Sequence, residues 1–170
     1  SAVAMAIEVI RDGAQANFPV QVTIAVAFGC PFEGEVDLKQ LLNTAQRLAD
    51  AGPVELALAD TIGVAVPTQV RQAFTQLKEV LGELPLRAHF HDTRNTGIAN
   101  AYASLLAGVS VLDASIGGIG GCPFAPNASG NIATEDLVYM LNRGGIEHGV
   151  ELSDLLSIAS WLQEVLAKPL

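Results

Sequence analysis

Two histidines flank one phenylalanine in the run His89-Phe90-His91-Asp92, at the end of the strand-like segment Leu86 to Phe90. Residues two apart on a strand point to the same face, so the two imidazoles converge. In a parallel α/β fold, ligands bind at the carboxyl ends of strands, which makes His89 and His91 candidate metal ligands. A hydrogen-bonded pair of strand-end histidines is the alternative, since two ligands do not make a metal site. His148, in the hydrophilic stretch Glu147-His148-Gly149, reads as a surface residue.

Three further segments carry chemistry-bearing residues. Gly117-Gly118-Ile119-Gly120-Gly121-Cys122-Pro123-Phe124-Ala125 runs on to Ala128-Ser129-Gly130-Asn131. Four glycines in five residues make a mobile or closely approaching backbone. The spacing fits neither GxGxxG nor a P-loop, which weakens a nucleotide-binding reading. Cys122 is a candidate proton donor or nucleophile, or simply a small apolar residue. Asn131 and Thr134 are also candidate caps for a helix that follows, and Glu135 suits that helix's positive end. Asp60-Thr61-Ile62-Gly63 comes directly after another strand-like run, where Asp60 is either a site residue or a turn aspartate. Gly29-Cys30-Pro31-Phe32-Glu33-Gly34 follows a further one, with Glu33 able to face the same mouth. Four successive strands each ending in polar or reactive residues is a pattern that independent turn chemistry would seldom produce.

The elements that must position these residues alternate. Pro19 to Phe28 is β-branched and continuously apolar, as expected of a strand buried on both faces of a parallel sheet. Val36 to Ala51 carries Leu38, Leu41, Leu42, Ala45 and Leu48 at helical spacing, and Gly52-Pro53 breaks it before the short run Val54 to Ala59. Pro67 suits the first turn of a helix through Val80. Leu86 to Phe90 is the third strand, Gly97 to Leu106 the third helix of the repeat, and Val109 to Ala114 the fourth strand. Met5 to Ala16 has a helical pattern, and helices from about Thr134 and over Leu152 to Leu166 close the chain. Strand starts recur every 25 to 35 residues. That is one βα unit, and four units without hairpin signals imply a parallel α/β sheet, either doubly wound or half of a (β/α)₈ barrel, which needs about 250 residues.

Composition narrows the function. The 170 residues carry 9 Lys+Arg against 18 Asp+Glu, a formal charge of −9, which excludes nucleic-acid binding through a basic surface. Half the residues are apolar and 16% are charged, so the chain folds, and as a single domain over residues 1–170. The longest apolar runs fall far short of the roughly 18 residues of a membrane span, and no signal peptide is expected. Cys30 and Cys122, both in Gly-Cys-Pro-Phe, point to loops in a reducing compartment rather than a disulfide framework. So apolar a composition also suggests that part of the surface is covered by another chain or segment.

Taken together and in order, Phe28 to Gly34, Ala59 to Gly63, His89 to Thr93, Gly118 to Ala125 and Ala128 to Asn131 resemble hydroxymethylglutaryl-CoA lyases, as does the run Asn131 to Leu141. The resemblance covers nearly the whole chain. It implies a TIM barrel, here only strands five to eight with the C-terminal helices. It further implies divalent-metal-assisted retro-Claisen cleavage of a 3-hydroxy-3-methylglutaryl thioester to acetyl-CoA and acetoacetate. His89, His91 and Asn131 would be ligands of Mg2+ or Mn2+, and Cys122 the thiol acid on a loop closing over the acyl-CoA substrate. Asp60 and Glu135 would be supporting polar residues of the catalytic site. The family's first strand bears an Arg-Asp-Gly motif whose aspartate completes the metal sphere. Arg11-Asp12-Gly13 looks like it but lies in a helical pattern and reads as coincidence. The chain is therefore expected to be a weakly active or inactive fragment that associates with itself or with the missing half. Its expected location is the cytoplasm, or the mitochondrial matrix in a eukaryote. Synthases of the isopropylmalate and homocitrate type share the barrel and the HxH but usually lack the GGCP loop. A non-catalytic half-barrel that binds metal or a partner is a further reading.

Overall fold

A computed structural model describes residues 1–121 and 130–170. It contains α1 (Ala2–Gln15), β1 (Gln21–Ile24), α2 (Leu38–Ala49), β2 (Glu55–Asp60), α3 (Pro67–Leu81), β3 (Leu86–Phe90), α4 (Gly97–Leu106), β4 (Val111–Asp113), α5 (Thr134–Arg143) and α6 (Leu152–Leu166), with a 3₁₀ turn at Ile116–Gly118. Local chemistry sets several boundaries. Asp37 caps α2 by accepting from the Gln40 N–H at 2.9 Å, and Pro67 opens α3 where its missing N–H costs nothing. Asp92 Oδ1 accepts from the Gly97 N–H at 2.7 Å, tying the segment after β3 to the start of α4.

The four strands are parallel in the order β1-β2-β3-β4. Sequential order distinguishes the arc of a barrel from a doubly wound sheet, whose strand order reverses at a switch point. The distribution of helices agrees. Val22, Leu56, Leu58, Leu86, Ala88 and Phe90 face the helices and join Leu41, Leu48, Val70, Phe74, Leu77 and Ala101 in one core. On the other face, register aligns Thr23, Ala57, Arg87 and Val111 in one row and Ala59, His89 and Asp113 in the next. That face is the concave one of a barrel segment, and it is lined by Glu55, Arg87, His89 and Asp113. Exposed apolar side chains lie away from that face, several of them on helices, at Met5, Val9, Trp161 and Val165.

Two strands are shorter than their apolar runs. The run Pro19 to Phe28 stays apolar because Ala27 and Phe28 enter the core, not because the strand continues. After Ile24 the chain turns, with Val26 at φ 51°, its N–H donating to Thr61 Oγ1 at 3.1 Å. A β-branched residue in that region is strained, and it sits at the carboxyl end of the sheet. The fourth strand pairs with β3 over only three residues, Val111 to Asp113. Arg11-Asp12-Gly13 lies within α1, as its helical pattern requires.

Candidate active site

His89 is the penultimate residue of β3 and His91 follows the strand, so the pleat places both on one face. Their ring centroids are 5.4 Å apart with planes inclined at 57°. His89 is half-buried, and that burial is the main cause holding its imidazole below the ordinary value, against the opposing pull of the Asp113 carboxylate. His91 is buried, and its N–H donates to the Asp60 carbonyl at 3.3 Å. The segment after the glycine-rich loop returns antiparallel to this strand end. Asp92 N–H donates to Gly130 O at 3.0 Å and Ile132 N–H to Phe90 O at 3.2 Å, which sets Asn131 beside His91.

The Asn131 side chain is then fixed by the loop. Its Nδ2 donates to Ile119 O at 2.9 Å, while Oδ1 is buried and has no hydrogen-bond partner among the described residues. The helix-capping role open to Asn131 is not the one seen, because Ala133 occupies the N-cap of α5 and no side chain caps it. Glu135, in the first turn of α5, accepts from the Gly117 N–H with both carboxylate oxygens, at 3.1 and 3.0 Å. Ser115 Oγ donates to Ile119 O at 2.6 Å. The stem of the glycine loop is therefore pinned by three side chains. Its glycines are dictated by contact, since a Cβ on Gly130 would stand 1.8 Å from Gly118 O. Cys122 lies outside the described residues.

Asp60 ends β2 but turns away from the concave face. Fully buried, it accepts from the Val64 N–H at 3.0 Å and the Ala65 N–H at 2.9 Å, and so shapes the turn into α3. Burial raises its carboxyl above the usual range, opposed by those two N–H groups and by the charges of His91 and Arg94. Arg94 donates to the carbonyls of Ile62 and Gly63, locking this turn to the one after β3. Asp60 thus underlies the histidines rather than lining the face with them. Glu33 is exposed on its turn, and His148 bonds Asn142 at 2.9 Å near the surface.

The arrangement brings two imidazoles and one orphaned amide oxygen to the mouth of the sheet. A buried carbonyl oxygen without a partner costs stability unless a donor or a cation satisfies it, and nitrogen plus neutral oxygen is a donor set that accepts a divalent cation. Among the described residues, no group of three His, Cys, Asp or Glu stands ready to hold a metal. The residues present fit part of a coordination sphere. Sequence reasoning missed Glu55, Arg87 and Asp113, which form a charged row beside His89. The available signal was a charged residue at an alternate position of each of three largely apolar strands.

Residues 2–162 match the family model described as HMGL-like. A hydroxymethylglutaryl-CoA lyase of Bacillus subtilis is 44% identical over 166 residues, covering 96% of this chain and 54% of the relative. An (R)-citramalyl-CoA lyase of Chloroflexus aurantiacus is also 44% identical, over 165 residues, covering 97% of this chain and 51% of the relative. The structure of an HMG-CoA lyase from Acinetobacter baumannii, solved with coenzyme A and 3-methylmalate, superposes with a TM-score of 0.90 at 36% identity, over 96% of this chain and 53% of that one. The chain spans about half the length of the curated relatives it matches.

Proposed function

The chain belongs to the HMGL-like family, and from that premise we propose that the protein carrying it is a carbon–carbon lyase that cleaves 3-hydroxy-3-methylglutaryl-CoA to acetyl-CoA and acetoacetate. The observation that carries this reading is the buried Asn131 Oδ1, without a hydrogen-bond partner among the described residues, beside His91 on the face to which His89 also points. A divalent cation, Mg2+ or Mn2+, when bound there supplies Lewis-acid polarisation of the substrate's hydroxyl and acyl oxygens. His89, His91 and Asn131 would hold it.

The reaction asks for little covalent chemistry from the protein. A base takes the proton of the 3-hydroxyl, the bond between C2 and C3 breaks, and its electron pair passes to the thioester as an enolate. A proton delivered to that carbon completes acetyl-CoA. Cys122 is the proposed donor, in the segment that follows a glycine-rich stem held by Glu135, Asn131 and Ser115. Asp60 supports His91 from beneath by fixing the turns on which it stands. A neutral imidazole at His89, favoured by its burial, keeps a lone pair available as a ligand.

A second reading changes the acyl group, not the chemistry. It is favoured by the equal identity to the (R)-citramalyl-CoA lyase, and makes citramalyl-CoA the substrate. The test is Mn2+ titration of the protein and of His89→Ala and Asn131→Ala, with cleavage of both thioesters assayed in the same samples. Saturable binding that each variant weakens, with turnover of one thioester, is the expected result. Equal binding by wild type and variants removes the metal assignment. Turnover that survives Cys122→Ala undiminished removes the thiol acid and favours a condensing synthase of the same barrel class.

A further inference from the structure

The charged row on the concave face is built by strand pairing. Arg87 in β3 pairs with Ala57 of β2 and Val111 of β4, and its side chain reaches diagonally to Glu55 and to Asp113, each two residues along the neighbouring strand. Its Nε donates to Glu55 Oε1 at 2.6 Å and its Nη1 to Asp113 Oδ1 at 2.5 Å. The register of β3 with β4 sets His89 directly opposite Asp113, and His89 Nδ1 stands 3.4 Å from Asp113 Oδ2. Both oxygens of Asp113 are thus committed, one to the guanidinium and one to the imidazole. Two carboxylates face one guanidinium, so the row carries excess negative charge on the side nearest the histidines.

We propose that Asp113, oriented by Arg87 and Glu55, is a positioning residue that fixes the ring and tautomer of His89, so that Nδ1 carries the proton and Nε2 is the ligating nitrogen. A carboxylate is acceptor-only, so the nitrogen that faces it must be the protonated one. The remaining nitrogen then presents its lone pair to whatever lies at the strand mouth, with the ring unable to flip without breaking the contact. Arg87 matters here through its fork. Nε reaches Glu55 on one side while Nη1 reaches Asp113 on the other, a geometry that a lysine ammonium cannot reproduce.

This inference rests on the metal reading above for its purpose, but its first test does not need the metal. Imidazole ¹⁵N NMR of the intact, metal-free protein at about pH 8, above the ordinary histidine value of about 6.5, reads the tautomer directly. His89 protonated at Nδ1 is expected, and protonation at Nε2 overturns the proposal. In Asp113→Asn the tautomer preference is expected to weaken or reverse. Mn2+ affinity, followed by electron paramagnetic resonance, should fall about 10- to 100-fold, the usual cost of losing such a partner. Arg87→Lys, which keeps the charge and loses the fork, should show a smaller loss in the same direction. Unchanged tautomer and affinity within about twofold in a folded Asp113→Asn overturn the proposal. If that variant fails to fold, the wild-type tautomer alone decides. Wild-type protein that binds no Mn2+ would instead sink the metal reading, while the Nδ1-protonated ring would still uphold the hold of Asp113 on His89.

Discussion

Asp60 shows how a residue type that suggests catalysis can act through the backbone. It has no exposed surface, and each carboxylate oxygen takes one N–H of the turn that opens α3. Burial raises its carboxyl above 3.8, the unfolded value, so the folded chain binds this proton more tightly than the unfolded one. By linkage, the group's stability contribution is fully present below about 3.8 and is lost as pH rises through the raised folded value. Asn in its place turns an amide N–H toward a backbone N–H, costing about 1–3 kcal/mol. Urea unfolding of wild type and Asp60→Asn at about pH 4 and pH 7 should therefore show the larger wild-type margin at the acid end. A margin that grows toward neutrality would mean that the two N–H bonds outweigh burial. The alternation rule found His89 and His91 in the sequence because side-chain direction on a strand is local. It could not find Asp113, whose role depends on which residue of β3 it pairs with, a fact set by sheet register and not by spacing along the chain.

At the scale of elements, the boundaries that the sequence carried were those with local causes. Pro67 starts α3, Gly97 to Leu106 is α4 and Leu152 to Leu166 is α6, each as helical spacing and breakers require. The strand over Pro19 to Phe28 was overextended, because an apolar run cannot tell a buried strand from a buried turn that follows it. The glycine loop was legible as a close-packed backbone, but its anchoring was not. Glu135 holds it from α5, eighteen residues on, through paired bonds to the Gly117 N–H. A charge-assisted bond of this kind contributes about 1.5–3 kcal/mol, and Glu135→Gln keeps one acceptor while losing the charge. Hydrogen exchange at Gly117 should accelerate about tenfold or more in that variant, while amides of β2 and β3 keep their protection. Cleavage activity should fall together with loop protection. Uniform acceleration across the sheet would assign Glu135 to global stability in place of the loop.

The whole molecule is an arc with two ends. Among the described residues, β1 and β4 each pair with one neighbour only, and the row of Glu55, Arg87, His89 and Asp113 lies open on the concave side. Beside β4 runs a groove of about 420 Å³ lined by Leu105, Val111, Leu112, Ala114 and Leu137. In relatives about twice as long, further chain is available to cover such edges. The 170 residues by themselves leave strand edges and apolar surface that favour pairing with another chain. Sedimentation of this polypeptide alone, at tens of micromolar, should therefore give a mass above the 17.7 kDa of one chain and rising with concentration. A charge placed on the outer strand obstructs edge pairing, so Val111→Lys should return the mass toward that of the monomer. A single species of 17.7 kDa at every concentration would show that these edges are protected within the chain. The polar concave face would then be a finished surface, open to solvent and to small ligands without a second chain across it.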